Sequence, residues 1–291
     1  DRVADIVEAV DWVPWGMAAA TAAAARAVAI SGLLSPGRRA LRLAAHFFRA
    51  MARHDVILYE YGYESFWASP PWADRKLPEL AQALELGVAR ALGKTIAFVF
   101  RDCLLMRSER QLAREPRCAC GTCPATFAGR FCGSIEVHRR TALALRAAHV
   151  VFVSTPDLLI DAPPGAEWLP NAIDTERFAI DRVRGAKRRP TAGLLIVHSS
   201  SNAAKKRTGL LERALTRLAG QHRFEIKTLR GLPHDEALEW IAACDIAVDQ
   251  FSHGAYGNFA IECMAAGKPV IGWVRRELYP PSLPILSVRP E

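Results

Sequence analysis

The residues with the clearest potential for chemistry lie in one stretch of the chain, from Asp245 to Trp273. Within it, the apolar run 246–248 predicts a short buried strand that leads into a loop. That loop carries Gly254, Tyr256 and Gly257. A glycine-containing loop before a helix exposes backbone N–H groups at the helix start, and such groups favour binding of a phosphate.

The predicted helix after this loop runs from Phe259 to Ala266, with Asn258 as its N-cap. A strand from Pro269 to Gly272 follows, so the stretch predicts a βαβ unit with its loop at the carboxyl edge of a parallel sheet. Open α/β sheets bind their ligands at that edge. Glu262, in the second turn of the helix, could accept hydrogen bonds from sugar hydroxyls there. On spacing alone, a plain βαβ repeat with a glycine turn explains the stretch equally well.

A second candidate site directly follows a predicted strand at 193–197. Its hydroxyl, imidazole, amide and ammonium groups belong to His198, Ser199, Ser201, Asn202 and Lys206. A hydroxyl-rich turn with lysines just inside a helix can bind a diphosphate through cations and backbone donors together. A solvated helix start is the alternative explanation of the same charges.

Four cysteines close together in the first half of the chain could bind a metal ion. They are Cys118, Cys120, Cys123 and Cys132, with Cys103 or His138 as substitute ligands. Four thiolates suit one tetrahedral structural zinc, although the spacing is not that of a zinc ribbon with two CxxC pairs. The alternatives are reduced cysteines without a metal, a redox or disulfide role, and an iron–sulfur cluster.

The overall composition, 51% hydrophobic and 23% charged residues, is that of a soluble globular protein. The net charge of +8 fits an anionic ligand, peripheral contact with an anionic membrane surface, or no specific partner. No nucleic-acid-binding motif accompanies the charge, so we expect no nucleic-acid partner. Seven cysteines without a secretory signal predict a cytoplasmic protein. The alanine-rich run from Met17 to Leu34 contains Arg26 and predicts a core helix rather than a membrane span.

Strands alternate with helices along the chain, which predicts parallel sheets with right-handed crossovers. The charged stretch 181–189 is the predicted linker. We therefore expect an α/β protein with two Rossmann-like parallel-sheet domains. Residues 1–178 would form one domain, with a cysteine-rich loop at 103–132, and residues 179–291 the other. Two such domains would leave a cleft between them in which a ligand can bind.

Three segments carry a resemblance to a known family. The stretch 254–271, G-x-Y-G-x-x-x-x-E-x-M-A-x-G-K-P-V-I, resembles the donor-site signature of GT-B glycosyltransferases of the retaining family 4 type. The stretch 198–206, H-S-x-S-N-x-x-x-K, is similar to a second segment of these enzymes, and it puts Lys206 at the phosphate-binding lysine position. The stretch 168–178 resembles their domain junction, P-N-G-x-D-x-x-x-F, with Asn171 and Asp174 matching.

This resemblance implies a GT-B fold and transfer of a sugar from a nucleoside diphosphate donor to an unknown acceptor, with retention of configuration. No cofactor or divalent ion would be required for transfer. The residues implied to bind the donor are those of the second candidate site together with Gly254, Tyr256, Gly257, Asn258 and Glu262. The residues implied to act in catalysis are Glu262, Lys206 and Arg101.

Two departures from the family pattern weaken the catalytic interpretation. Gly254 stands where the family usually has a first glutamate, and Arg101 stands where it usually has a histidine. Arg101 could bind an anionic acceptor or the donor phosphates, or it could form an ion pair with Asp102. A degenerate, non-catalytic GT-B module that binds a nucleotide, glycan or protein partner is therefore the alternative. A dinucleotide-binding oxidoreductase is disfavoured because no G-x-G-x-x-G turn is present.

The resemblance also leads us to expect a trimmed or partial chain. The family's opening strand with its glycine-rich loop has no counterpart before the first predicted strand, and its terminal helices have none after Val288.

Overall fold

The structure is a computed structural model that describes residues 36–60, 78–101, 105, 108–116, 118–121, 134–178, 193–200 and 203–289. These residues divide into two compact units. The first contains the described residues within 1–104, 134–152 and 163–167, and the second those within 105–133, 153–162 and 168–291. The described part of the cysteine-rich segment thus belongs to the second unit, whereas the sequence assigns it to the first domain.

Helices and strands alternate along most of the described chain, as the sequence predicts. In chain order they are α1 (Pro36–Arg53), β1 (Val56–Glu60), α2 (Pro78–Ala91), β2 (Thr95–Phe100), α3 (Ser108–Arg114), α4 (Ile135–Ala147), β3 (Val150–Val153), β4 (Glu167–Trp168), β5 (Leu194–Ser199), α5 (Ala203–Lys206), α6 (Thr208–Leu218), β6 (Phe224–Leu229), α7 (His234–Ala243), β7 (Ile246–Val248), α8 (Asn258–Ala265), β8 (Val270–Gly272) and β9 (Ile285–Ser287). Single 3₁₀ turns lie at Ala119–Gly121, Pro156–Ile160, Thr175–Phe178 and Arg276–Leu278.

The first sheet has the strand order β1-β2-β3-β4. β1 and β2 pair in parallel, and every residue of β2 after Thr95 is buried. A continuous apolar run such as TIAFVF is typical of a parallel strand that is covered on both faces. Helices α2 and α4 pack together in this unit, and the buried Arg140 donates a 2.9 Å hydrogen bond from Nε to Gln82 Oε1.

The second sheet has five parallel strands in the order β6-β5-β7-β8-β9. The chain moves outward from β5 to β6 and then returns to the other side of β5 with β7. The strand order therefore reverses between β5 and β7. In a doubly wound sheet this reversal opens a crevice at the carboxyl ends of the two strands, because the helices that follow them cover opposite faces.

The core of the second unit lies on both faces of this sheet. Leu195 and Val197 of β5 point into one apolar cluster, which also contains Phe259 and Cys263 of α8. Ile196, between them, belongs to a second cluster. Burial of successive residues on opposite faces is the property of a parallel sheet with helices on both sides.

The helix of the glycine-loop unit begins one residue earlier than the sequence predicts. Asn258 is its first helical residue and Gly257 is its N-cap, with a φ of −102° and no side-chain hydrogen bond. The Asn258 side chain does not cap the helix because its Oδ1 accepts a 2.7 Å hydrogen bond from Asn171 Nδ2. The predicted N-cap role of Asn258 is therefore wrong.

Within the described ranges, no helix combines the length and the apolar character needed to cross a bilayer. The alanine-rich run Met17–Leu34 and the predicted linker 181–189 lie outside the described residues.

Candidate functional site

Two segments that are far apart in the sequence meet at the carboxyl ends of β5 and β7. Lys206, at the end of α5, places its Nζ 2.5 Å from Oδ1 of Asp249, the first residue after β7. Oδ2 of the same carboxylate accepts a 2.7 Å hydrogen bond from the backbone N–H of Gly257. The side chain of Asp249 is 2% exposed and that of Lys206 is 12% exposed, so salt screens this ion pair little.

The position next to Lys206 and Asp249 requires a residue without a side chain, and Gly257 occupies it. A Cβ at this position would lie 2.9 Å from Lys206 Nζ and 3.5 Å from Asp249 Oδ2. A side chain here would therefore displace the lysine or the carboxylate. The close approach also means that an anion near Lys206 would lie beside the N-terminus of α8, where the helix dipole favours negative charge.

Glu262 lies on the second turn of α8, as the sequence predicts. Its Oε1 is 2.8 Å from His234 Nε2, at the start of α7. The Glu262 side chain is 17% exposed and that of His234 is 49% exposed. Glu262 is thus held by one partner near the surface while its carboxylate keeps capacity for further hydrogen bonds.

Gly254 adopts a left-handed backbone conformation with a φ of 72°. A Cβ at this position would lie 2.5 Å from Cγ and 3.0 Å from Nε of Arg275. Arg275 N–H also donates a 2.8 Å hydrogen bond to the carbonyl of Gly254. The space next to the family's first-glutamate position is therefore filled by the arginine side chain.

Tyr256 is held by an aromatic group. Its ring centroid lies 5.0 Å from that of Tyr279, and the Tyr279 ring in turn contacts Trp168 edge-on at 5.8 Å. Burial raises the pKa of Tyr256 above its ordinary value, so its hydroxyl stays protonated at neutral pH. These contacts fix the loop between Gly254 and Gly257 against the body of the second unit.

His198 is fully buried on β5 and uses both ring nitrogens inside the protein. Nδ1 donates to the Val248 carbonyl at 2.8 Å, and Nε2 lies 2.9 Å from Thr208 Oγ1. The Thr208 hydroxyl also lies 2.9 Å from Ser200 Oγ. Burial lowers the pKa of His198, so the ring is neutral at pH 7 and Nε2 accepts a hydrogen bond from the Thr208 hydroxyl. The predicted donor ligand Ser199 ends β5, while Ser201 and Asn202 lie outside the described residues.

The remaining predicted residues lie at other points of the two units. Asp174 Oδ1 accepts a 3.1 Å hydrogen bond from Glu176 N–H at the start of a 3₁₀ turn. Arg101, in the first unit, pairs with Glu60 through a 2.9 Å contact between Nη2 and Oε1. Asp102, the partner that the sequence offers for Arg101, lies outside the described residues.

Two of the four cysteines that the sequence predicts as metal ligands lie within the described residues, and a histidine lies beside them. Cys118 Sγ lies 3.4 Å from Cys120 Sγ and 3.2 Å from His253 Nδ1. The hydrogen bond to Cys120 and then that to His253 lower the pKa of Cys118 to about 4, against the opposing effect of burial. Cys123 and Cys132 lie outside the described residues.

Asp157 is a buried carboxylate near the same loop. It is 2% exposed, and among the described residues its Oδ1 has no hydrogen-bond partner. Burial raises its pKa above the ordinary value, although Thr155, His253 and Arg275 counteract this effect.

Sequence reasoning missed three residues of this region: Asp249, His253 and Arg275. Asp249 follows a buried strand at the sheet edge, and that position was a usable signal. The other two gave no local signal, since their partners lie far away in the chain. His253, for example, is 135 residues from Cys118.

Comparison with solved structures finds similar chains at low sequence identity. Sucrose-phosphate synthase from Thermosynechococcus elongatus is similar with a TM-score of 0.50 and 14% identity, covering 89% of this chain and 67% of that chain. The catalytic domain of starch synthase IV from Arabidopsis thaliana, bound to ADP and acarbose, gives a TM-score of 0.44 and 13% identity, with coverages of 79% and 59%. Phytolacca americana UGT2 complexed with UDP-2fluoro-glucose and pterostilbene gives a TM-score of 0.42 and 15% identity, covering 80% of this chain and 60% of that chain.

The first of these likenesses, together with the two α/β units, confirms the predicted GT-B fold class. The chain spans between 59% and 67% of the lengths of these three structures. No family model and no curated protein matches the sequence.

Proposed function

We propose that this protein is a glycosyltransferase that moves a sugar from a nucleoside diphosphate donor to an acceptor with retention of configuration. The observation that carries the proposal is the meeting of Lys206, Asp249 and the N-terminus of α8 where the strand order reverses. This is the part of a doubly wound sheet where ligands bind. A cation and a helix N-terminus together favour a diphosphate.

In this proposal Lys206 and the N–H groups at the start of α8 bind the donor diphosphate. Glu262, four residues after Asn258, accepts hydrogen bonds from the sugar hydroxyls. Transfer breaks the bond between the anomeric carbon and a diphosphate oxygen and forms a bond to the acceptor oxygen. The acceptor proton passes to the departing phosphate oxygen, by analogy with the family that the sequence resembles. Fixed donors around that oxygen would stabilise its growing charge, usually the largest contribution of such a site.

Asp249 has a positioning role in this proposal. Its carboxylate holds Lys206 Nζ and the N–H of Gly257 before the donor arrives. A bound diphosphate would compete for the same two donors. Asp249 would then keep the site ordered in the free protein while the diphosphate takes over part of its hydrogen bonds in the complex.

A second candidate function is that of a degenerate module which binds a nucleotide without transferring a sugar. The observation that favours it is the side chain of Arg275, which fills the space beside Gly254. The pairing of Arg101 with Glu60 also leaves the family's usual histidine role without an obvious replacement. Both candidates predict nucleotide binding, and they differ in turnover.

A thermal-shift screen with UDP, GDP, ADP, CMP and their common sugar conjugates tests the binding step. A ligand that binds only the folded state raises the unfolding midpoint by mass action. We expect a shift with one nucleotide family, lost in Glu262→Ala for the sugar conjugate and in Lys206→Met for the nucleotide itself. Glu212→Ala, which removes an exposed glutamate from another helix of the same unit, is the matched control and should keep the shift.

Release of the nucleoside diphosphate from the selected nucleotide sugar then separates the two candidates. Slow hydrolysis that depends on Lys206 supports the transferase. Binding without release, on folded protein and with a panel of sugar acceptors, supports the degenerate module. No shift with any nucleotide would overturn both.

A further inference from the structure

Cys118, Cys120 and His253 form a compact group of metal-binding atoms within the second unit. The two sulfur atoms and one imidazole nitrogen of these residues all lie within 4.8 Å of one another. Cys118 is 5% exposed and His253 is 6% exposed, whereas Cys120 is half-buried, so two of the three side chains are shielded from solvent. The sulfur atoms are 3.4 Å apart, far beyond the ~2.0 Å of a disulfide bond.

We propose that these three side chains bind one zinc ion that ties the 3₁₀ turn at Ala119–Gly121 to the loop between Asp249 and Gly257. Tetrahedral zinc with bonds of about 2.3 Å to sulfur and 2.0–2.1 Å to nitrogen requires S–S and S–N separations of roughly 3.8 and 3.5 Å. The observed 3.4 Å between the sulfur atoms and 3.2 Å from Cys118 Sγ to His253 Nδ1 are shorter by only a few tenths of an ångström, and the ligand atoms of Cys120 and His253 lie within 4.8 Å of each other. Side-chain rotations that adjust these three separations would complete the site.

The ligand set selects the type of metal. Thiolates are soft ligands, and a pair of them with an imidazole favours zinc over magnesium or calcium, which prefer oxygen. Zinc binding requires both cysteines as thiolates, so any remaining thiol proton passes to the solvent buffer, and no oxidation state changes. The fourth coordination position is available to a solvent molecule or to another side chain.

The position of this group gives the ion a structural role. His253 precedes Gly254 directly and therefore belongs to the glycine loop. The turn that carries Cys120 also contacts α5, the helix that ends in Lys206. A zinc ion here would brace both segments that contribute to the crevice between β5 and β7. The zinc site does not depend on the proposed transferase activity, since either function needs these two segments to be ordered.

The sequence predicts a different ligand set, four cysteines with no histidine in the glycine loop. The two sets can be distinguished because His253 belongs only to the new one and Cys123 only to the other. The geometry on which our proposal rests comes entirely from the described residues 118, 120 and 253.

Metal content of the purified full chain tests the site directly. After incubation with Zn²⁺ and gel filtration, we expect about one zinc per chain by elemental analysis. Cys120→Ser and His253→Ala should each lower the zinc content several-fold. His222→Ala, which removes an exposed histidine from the same unit, should leave it unchanged. Zinc retained in His253→Ala but lost in Cys123→Ser would overturn the proposal in favour of the four-cysteine site.

Substitution with Co²⁺ provides a readout that does not depend on loss of function. We expect visible absorption bands of tetrahedral cobalt with thiolate-to-metal charge transfer. In His253→Cys, a third thiolate should raise the charge-transfer intensity about 1.5-fold, in proportion to the number of thiolates. An intensity that stays at the wild-type value, in a variant whose circular dichroism is native, would exclude His253 as a ligand. A wild-type chain that binds neither ion would overturn the proposal outright.

Discussion

A single carboxylate, Asp249, organises the candidate donor site at the scale of residues. It contacts the ammonium of Lys206 and the backbone N–H of Gly257 at the same time. Because the ion pair is almost fully buried, removing one charge leaves the other without compensation in a region of low dielectric. The two side chains should therefore be coupled strongly in stability as well as in ligand binding.

A double-mutant cycle at Lys206 and Asp249 measures this coupling. Lys206→Met should destabilise the protein by about 3–5 kcal/mol, because a buried carboxylate loses its cation. Combining it with Asp249→Asn should recover at least ~1 kcal/mol of that loss, since the unpaired charge is removed. Urea unfolding of the four proteins gives the values. Additive effects of the two substitutions would contradict the buried ion pair.

His198 makes stability depend on pH in a defined direction. Its pKa in the folded protein lies below 6.5 because of burial, so the unfolded chain binds a proton at mildly acidic pH and the folded chain does not. Stability from this residue is present above pH 6.5 and falls as the pH drops below it, by at most ~1.4 kcal/mol per pH unit.

The free energy of unfolding, measured between pH 7.5 and 5, tests this assignment. The slope below pH 6.5 should be shallower in His198→Gln than in the wild type, even though the variant is less stable overall. Parallel slopes in the two proteins would show that His198 titrates normally in the folded state.

Asp157 has the opposite effect. Its pKa is raised by burial, so the folded state disfavours the ionised form and stability falls as the pH rises from 3.8 through the folded-state pKa. Asp157→Asn removes the buried charge and should therefore stabilise the protein at pH 7.5. This gain should disappear towards pH 4. A loss of stability at pH 7.5 would mean that the carboxylate has a partner beyond those described.

At the scale of elements, the loop between β7 and α8 depends on a glycine conformation and on an arginine side chain. Gly254 has a positive φ, and Arg275 occupies the space that its Cβ would need. Gly254→Ala should lower stability by about 1–2 kcal/mol from the backbone alone, and by more because of the contact with Arg275. Adding Arg275→Ala should recover only the stability lost through the contact with the arginine side chain, because the backbone penalty at residue 254 remains.

Thermal unfolding of these variants, with Gly220→Ala as a control in open space, tests the two contributions. Full recovery in the double variant would contradict a backbone penalty. No recovery would contradict the contact with Arg275.

Most elements could be predicted from the sequence because each gives a local signal. The strand at 246–248 has the predicted bounds, and the elements predicted at 193–197, 259–266 and 269–272 differ from the observed ones by one or two residues at their ends. The short helix α3 was not predicted, because its seven residues include only two apolar ones and lie in a polar stretch. Charge and hydrophobic period identify long elements, whereas short helices are stabilised by tertiary contacts.

The candidate site could be predicted only in outline. The loop glycines, Glu262 and Lys206 could be predicted because each belongs to a motif whose residues lie within one short stretch of the chain. The partners Asp249 for Lys206 and His253 for Cys118 are separated from them by 43 and 135 residues. No pattern in a single sequence encodes such pairs, since they result from the packing of elements around one sheet.

At the scale of the whole molecule, the second unit is built from separated parts of the chain. Phe178 belongs to its apolar core and Trp168 and Ile173 pack against that core, although all three lie in the predicted first domain, 1–178. Glu115, the residue after α3, pairs with Arg289 through a 2.9 Å contact. The unit therefore cannot be obtained intact as the contiguous segment 179–291.

An isolated fragment 179–291 should be much less stable than the same residues in the full chain. It loses the buried Phe178 side chain, worth about 1.5–3 kcal/mol of burial, the partly buried Trp168 and Ile173, and the 118–121 turn. Circular dichroism during heating should show a broad transition or none. A cooperative transition at the midpoint of the full chain would contradict the division of the chain into these two units.

The distance of 135 residues between Cys118 and His253 has a consequence for biosynthesis. At the usual elongation rate of ~5–20 residues per second, both thiols leave the ribosome on the order of ten seconds before the histidine is made. During that interval they are exposed to oxidants, to glutathione and to any free copper in the compartment. Assembly of the zinc site that we propose therefore requires two neighbouring thiols to stay reduced and unmetallated until the partner imidazole arrives, so the yield of zinc-bound chains should depend on the redox state and the copper supply during translation.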